Sequence, residues 1–171
     1  MQLSWGAKVS PEFCHEVLEV SRRLGVQPNY LMAVMAFETA ETFRADIRNA
    51  AGSGAVGLIQ FMPGTAKLLG TSVSALMEMT PVQQLKYVEA YFEPYRGRLR
   101  TLMDVYMAVL YPAAIGKGGA FVLFKAPYIA YRQNAGLDWD KDDHITVAEA
   151  TEGPSRKLVK GLAPGNVRTF I

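Results

Sequence analysis

The sequence predicts a mainly α-helical protein organised as one domain. Apolar residues recur at helical spacing through most of the chain, and proline-led cap signals open successive segments. No stretch alternates apolar and polar residues long enough for a large sheet, and no internal repeat is visible. The 171 residues, half of them hydrophobic and a fifth charged, suit one sizeable core.

The first helix opens at Ser10, a hydroxyl cap followed by Pro11 and by Glu12 near the positive helix end. Phe13, Val17, Val20 and Leu24 form its apolar stripe, and Gly25 stops it. Pro28 opens a second helix in which Leu31 to Phe37 are apolar on every side, as in a helix surrounded by protein. Pro63 with Thr65 marks another start. Thr80-Pro81 repeats the signal ahead of Val82, Leu85, Val88 and Phe92. A further helix runs from Thr101 to Tyr111 and ends at Pro112. Glycine-rich connections cover Ala51 to Gly57 and Gly116 to Gly119. Beyond Leu137 the chain turns acidic, and Gly153-Pro154 and Pro164-Gly165 are expected to break the C-terminal stretch. The expected layout is a core over about residues 9–135 and a short tail over 136–171.

Charge narrows the partners. With 18 Lys plus Arg against 16 Asp plus Glu, the net charge of +2 lacks the dense basic face that nucleic acid demands. Cys14 has no second cysteine to pair with and falls on an apolar helix side, so a buried, inert thiol is expected. Met1 to Lys8 is too short and polar for a secretory leader, and Tyr30 to Phe37 is too short to span a bilayer. The expectation is a protein that does not export itself.

Glu38 carries the most chemical information. It closes the apolar run Leu31 to Phe37, which presents its carboxyl from the end of the most buried helix. Burying an unpaired carboxylate is costly, and the usual outcome is a raised pKa that keeps the group protonated near neutrality. A glycosidic leaving oxygen needs such a general acid. The plainer alternative is a solvated helix end. Glu41, three residues on, is the rival acid if the helix persists, although it stands away from the apolar run.

The neighbouring residues sharpen the choice. Glu38-Thr39 leads through Phe43 to Gly54-Ala-Val-Gly57-Leu-Ile-Gln60-Phe-Met62-Pro-Gly-Thr65-Ala66. This block resembles the signature of the soluble lytic transglycosylase and goose-type lysozyme superfamily, in which Glu-Ser or Glu-Thr precedes Gly-x-x-Gly-Leu-x-Gln-x-x-Pro-x-Thr-Ala. The run from Glu38 to Gly70 is closer still to bacteriophage-borne domains of that group. The resemblance covers about residues 30–112 and implies a lysozyme-like fold with Glu38 as general acid/base.

It implies roles for other residues too. Gly57, with Gly54, is expected to let backbone pass close to a sugar. Gln60 offers an amide donor and acceptor to an amino sugar. Phe61 is expected in the core, while Met62 suits core or groove equally. Tyr111 matches the family tyrosine beside the catalytic acid, but Pro112 replaces the usual asparagine, and a core tyrosine remains the alternative. Phe43 lies five residues after Glu38, whereas the family commonly spaces its aromatic three residues after the acid.

Two further acidic features stand outside that block. Asp46 is the candidate second carboxylate that would hold a hydrolytic water, against a plain role as a loop residue. In the tail, Asp138, Asp140, Asp142, Thr146 and Glu149 match positions 1, 3, 5, 9 and 12 of an EF-hand calcium loop, with Ile145 at the apolar position 8. Position 6 is Asp143 where glycine is usual, so a structural calcium site and a degenerate turn both stay open.

The resemblance thus implies a bacteriolytic, peptidoglycan-cleaving enzyme acting between N-acetylmuramic acid and N-acetylglucosamine. The expected route is transglycosylation to a 1,6-anhydro product. Alternatives are a hydrolytic muramidase using Glu38 with Asp46, and an inactive glycan-binding or virion structural module. The expected site comprises Glu38 as catalyst with Gln60, Tyr111, Met62 and Gly57 on the sugar. Catalysis needs no cofactor, the expected partner is the glycan strand, and the protein is expected to be a monomer. A phage endolysin, held in the host cytoplasm until release, or a virion-associated component fits this reading.

Overall fold

The computed structural model describes all 171 residues. Eight α-helices come in order: α1 (Pro11–Leu24), α2 (Pro28–Glu38), α3 (Pro63–Leu68), α4 (Val73–Glu78), α5 (Pro81–Phe92), α6 (Leu102–Leu110), α7 (Ile129–Asn134) and α8 (Val147–Leu162). Four short strands, β1 (Gln2–Leu3), β2 (Val122–Lys125), β3 (His144–Thr146) and β4 (Arg168–Thr169), make two antiparallel ribbons, β1 with β4 and β2 with β3. The mainly helical expectation holds.

The helices at Ser10 and Thr80 start where their caps were placed, and the one from Thr101 also starts on a cap. Ser10 Oγ accepts the Phe13 amide at 3.1 Å, and Gly25 closes α1 at φ 69°. Thr80 with Gln83 and Thr101 with Asp104 form capping boxes at α5 and α6. Residues Leu31 to Ala36 are all buried, so α2 is the central rod of the core, with α1, α6 and α8 packed around it. Cys14 is buried, its thiol 3.4 Å from the Gly6 carbonyl.

The division into a core over 9–135 and an appended tail needs correction. Helix α8 lies against α2, and Ile145, Val147, Ala150 and Thr151 are buried. Gly153-Pro154 does not break the chain; Pro154 sits inside α8. Its ring removes one backbone donor, but close packing of α8 offsets that loss. A β-carbon on Gly153 would run into the Phe37 ring, and one on Gly161 would meet Ser4 and Trp5. The polar opening segment is fixed as well: Leu3 and Trp5 are buried, and Trp5 Nε1 donates to the Lys157 carbonyl at 2.8 Å. Tertiary packing therefore recruits both ends of the chain, where local polarity indicated periphery.

Candidate active site

Glu38 is the last residue of α2, and the chain turns sharply after it. Thr39 is fully buried; its hydroxyl donates to the Met35 carbonyl at 2.7 Å and accepts the Phe43 amide at 2.9 Å. Ala40 and Glu41 adopt left-handed backbone, φ 49° and 69°, and the Glu41 amide donates to the Ala36 carbonyl at 2.7 Å. Phe43, also at positive φ, packs against Trp5 and Phe13. Helical geometry thus stops at Glu38, so Glu41 does not share its face.

The two glutamates end in opposite electrostatic settings. Glu41 reaches α8, where Lys157 and Lys160 bind its carboxylate and hold its pKa below the usual range. Glu38 has no such partner. Burial alone pushes its carboxyl up to about 7. A group titrating there exists as acid and as base in comparable amounts at neutral pH, which suits proton donation and recovery in one cycle.

Two tyrosines not singled out in the sequence stand near Glu38. Burial raises the Tyr91 phenol to about 12, with Tyr95 and the Glu38 charge adding to the shift. Burial, then Glu38, raises Tyr106 likewise. Tyr91 donates to the Ala108 carbonyl at 2.6 Å and meets Phe61 edge to face with centroids 6.4 Å apart. It therefore links the Glu38 end of α2 to α6 and to the glycine-bearing block. In sequence both tyrosines pass as stripe residues of amphipathic helices, and only their α5 and α6 placements reveal this position.

The glycine-bearing block folds into a tight loop closed by paired bonds between Val56 and Phe61, 3.0 and 2.8 Å. Phe61 is buried, as expected, and Met62 is exposed at the start of α3. Gly57 requires a different explanation from the one its motif invited. Its backbone has φ 82°, and a β-carbon there would collide with the Gln84 side chain. Gly57 is close to an internal amide, not to open sugar-binding space.

Gln84 is fully buried and satisfied: Oε1 accepts the Leu58 amide at 2.8 Å, and Nε2 donates to Ala45 and Leu76 carbonyls at 3.0 and 2.9 Å. Position in the α5 stripe was the only sequence signal for it. Gln60, at φ 56°, spends its amide donor on the Gly57 and Ile47 carbonyls, 3.1 and 3.4 Å away. Its donor is thus occupied inside the loop, which leaves the acceptor oxygen for other partners.

Residues 17–108 match the family described as the transglycosylase SLT domain. The chain belongs to this family. The match covers more than half the chain, from the middle of α1 into α6, and includes Glu38 and the loop around Gln60. No curated protein matches the chain. Membership makes this SLT domain a peptidoglycan lytic transglycosylase of lysozyme-like fold, with peptidoglycan as substrate. No helix is long and apolar enough to cross a membrane.

Of the remaining sequence candidates, Asp46 lies inside the SLT match and Tyr111 and the acidic loop lie beyond it. Tyr111 comes directly after α6, 40% exposed, with Phe124 edge to face at 5.8 Å. Asp46 is bound at both carboxylate oxygens by Arg44, 2.9 Å each, which lowers its pKa. In the acidic loop, carboxylate oxygens of Asp138, Asp140 and Glu149 lie within 4.8 Å of one another. Asp143 takes φ 67°, so aspartate adopts the positive-φ position where glycine is usual. Ile145 is fully buried, and Glu149 accepts the Thr146 amide at 2.8 Å as the capping box of α8.

Proposed function

We propose that Glu38 is the single general acid/base of this SLT domain, cleaving the β-1,4 bond between N-acetylmuramic acid and N-acetylglucosamine. One observation carries this reading: Glu38 is an unpaired carboxyl raised by burial to about 7. Glu41 and Asp46 are both neutralised by cations.

In the reaction, protonated Glu38 gives its proton to the glycosidic oxygen, and the bond from that oxygen to C1 breaks. The 6-hydroxyl oxygen of the same muramic acid bonds to C1, and Glu38 takes the hydroxyl proton. One bond forms, one breaks, no water is consumed, and Glu38 ends protonated. The product is a 1,6-anhydro sugar. The Arg44–Asp46 pair supports this route over hydrolysis, because a base needed for water is already committed elsewhere. Tyr111, Met62 and the free acceptor of Gln60 are proposed contacts of the sugar, with Gly57 supporting the loop.

The resemblance of residues 38–70 to phage-borne domains supports an endolysin or virion-associated protein that meets the wall after release or at infection. Burial of Leu3 and Trp5 together with Ile145, Val147 and Ala150 in one core supports a single domain over residues 1–171. For the acidic loop, the donor set of Asp138, Asp140 and Glu149 fits a hard cation such as calcium, acting as a structural clasp.

Mass spectrometry of fragments released from purified peptidoglycan tests the chemistry. Anhydro-terminated fragments are expected. Reducing-end fragments would transfer the protein to the hydrolases, and no fragments from folded protein would leave a glycan-binding module.

A further inference from the structure

Helix α8 lies beyond the SLT match, yet it packs on α2, the helix that ends in Glu38. One contact falls beside the catalytic residue. A β-carbon on Gly153 would run into Cδ2, Cε2 and Cζ of Phe37, and Phe37 directly precedes Glu38. A residue without a side chain is therefore what lets α8 close on the last turn of α2.

Little around that contact can yield. The Phe37 ring also meets Tyr106 of α6 edge to face, with centroids 5.6 Å apart, and Tyr106 is only 5% exposed. A larger residue at 153 has to move either α8 or the end of α2. Helix α8 is pinned from the N-terminal segment. Trp5 Nε1 donates to the Lys157 carbonyl at 2.8 Å, the Trp5 amide donates to the Gly161 carbonyl at 2.9 Å, and a β-carbon on Gly161 would meet Ser4 and Trp5. The movement then falls on α2.

The chain after Glu38 has no slack to absorb it. The Thr39 hydroxyl bonds both the Met35 carbonyl and the Phe43 amide, and the Glu41 amide donates to the Ala36 carbonyl at 2.7 Å. Trp5 packs on Phe43 with centroids 6.2 Å apart. Ala40, Glu41 and Phe43 all hold left-handed backbone, which persists only where the surroundings over-determine it. Glu38 therefore sits between two fixed points, Phe37 seated by α8 and the turn over residues 39–43.

We propose that Gly153 is a positioning residue for Glu38: by leaving room for Phe37 it holds the last turn of α2 in the place that keeps the catalytic carboxyl buried. This rests on Glu38 being the general acid. Around Glu38 stand the phenols of Tyr91 and Tyr106, raised well above neutrality, and Glu41, held low by Lys157 and Lys160 of α8. From α1, Cys14 turns inward on the Gly6 carbonyl, its thiol raised by burial. The raised groups stay neutral near pH 7 and Glu41 stays ionised, so titration there reports Glu38 itself.

The test compares full-length parent, Gly153→Ala, Phe37→Leu and the double variant. NMR of isotope-labelled glutamate carboxyls follows Glu38, its signal being the one absent from Glu38→Gln, beside kcat and KM for cell-wall clearance across pH. In Gly153→Ala the displaced Phe37 admits water to Glu38. Its titration midpoint should fall below about 7, and the alkaline limb of kcat/KM should move to lower pH. A misplaced acid should lower kcat about 10- to 100-fold, with KM near parent. Phe37→Leu removes the ring and should by itself lower the midpoint, and Gly153→Ala should add little in that background. A parent midpoint in Gly153→Ala overturns the proposal, and a fall in melting temperature alone makes Gly153 a packing residue. Equal shifts from Gly153→Ala in both backgrounds overturn the route through Phe37. If Gly153→Ala does not fold, a parent midpoint in Phe37→Leu overturns the proposal on its own. A lowered midpoint with parent kcat counts against Glu38 as the acid and not against its positioning.

Discussion

Replacing Glu38 by glutamine is expected to stabilise the protein at alkaline pH while removing its lytic activity. Burial pushes the folded carboxyl up to about 7, against an ordinary 4.5. Because the folded value is the higher one, the folded state holds the proton more tightly. Stability from this group is complete below pH 4.5, falls as pH rises to about 7, and stays lost above that. At ~1.36 kcal/mol per unit the ceiling is about 3 kcal/mol, less whatever solvent screens at this partly buried position. Gln fills nearly the same volume and bears no such cost.

The melting temperature of Glu38→Gln should match wild type near pH 4 and exceed it by several degrees at pH 8, at roughly 2–4 °C per kcal/mol for a chain of this size. Lysis should fall ~10²–10⁴-fold, the usual worth of a general acid. Wild-type kcat/KM should decline above about pH 7 as Glu38 loses its proton. Thermal melts at pH 4, 6 and 8 beside turbidity clearance of cell walls measure both. A melting difference that ignores pH would mean Glu38 is solvated, and normal lysis by the variant would place the chemistry elsewhere.

Glu41→Gln should keep lysis and shift stability by no more than about 1 kcal/mol, since its lysine contacts are partly exposed; loss of lysis on folded protein would reverse the two glutamates. Gln84→Ala should cost at least about 3 kcal/mol in denaturant titration, because it strands the Leu58 amide and two carbonyls in the core. An unchanged midpoint would mean that water takes over those bonds. Calcium at a hundredfold excess over its dissociation constant should add ~2.7 kcal/mol and raise the melting temperature, magnesium less, with lysis surviving in chelator. Calorimetry without binding heat at millimolar calcium, with identical melts, would leave the loop as a turn.

Much of the helical frame was legible locally. Proline and hydroxyl caps act within four residues, so Ser10 and Thr80 announced their helices without help from distant chain. The all-apolar face of Leu31 to Ala36 likewise required a central position for α2, and Glu38 drew attention because it closes that run. The motif around Gly57 and Gln60 was legible as a family signature, but its internal duties were not. Gly57 accommodates Gln84, and Gln60 bonds its own loop, through contacts between residues distant in sequence.

Only the tertiary structure separated Glu38 from Glu41. The deciding partners, Lys157 and Lys160, lie more than a hundred residues further along, and no local pattern links them to Glu41. The same holds for α8, whose Gly153-Pro154 looked like a break and whose polar residues suggested a tail. Its small residues are meaningful only against Phe37, Ser4 and Trp5. Periodicity and caps determine which segments become helices because those effects are short-ranged. Which carboxylate stays unpaired, and which glycine must lack a side chain, depends on what the fold brings alongside.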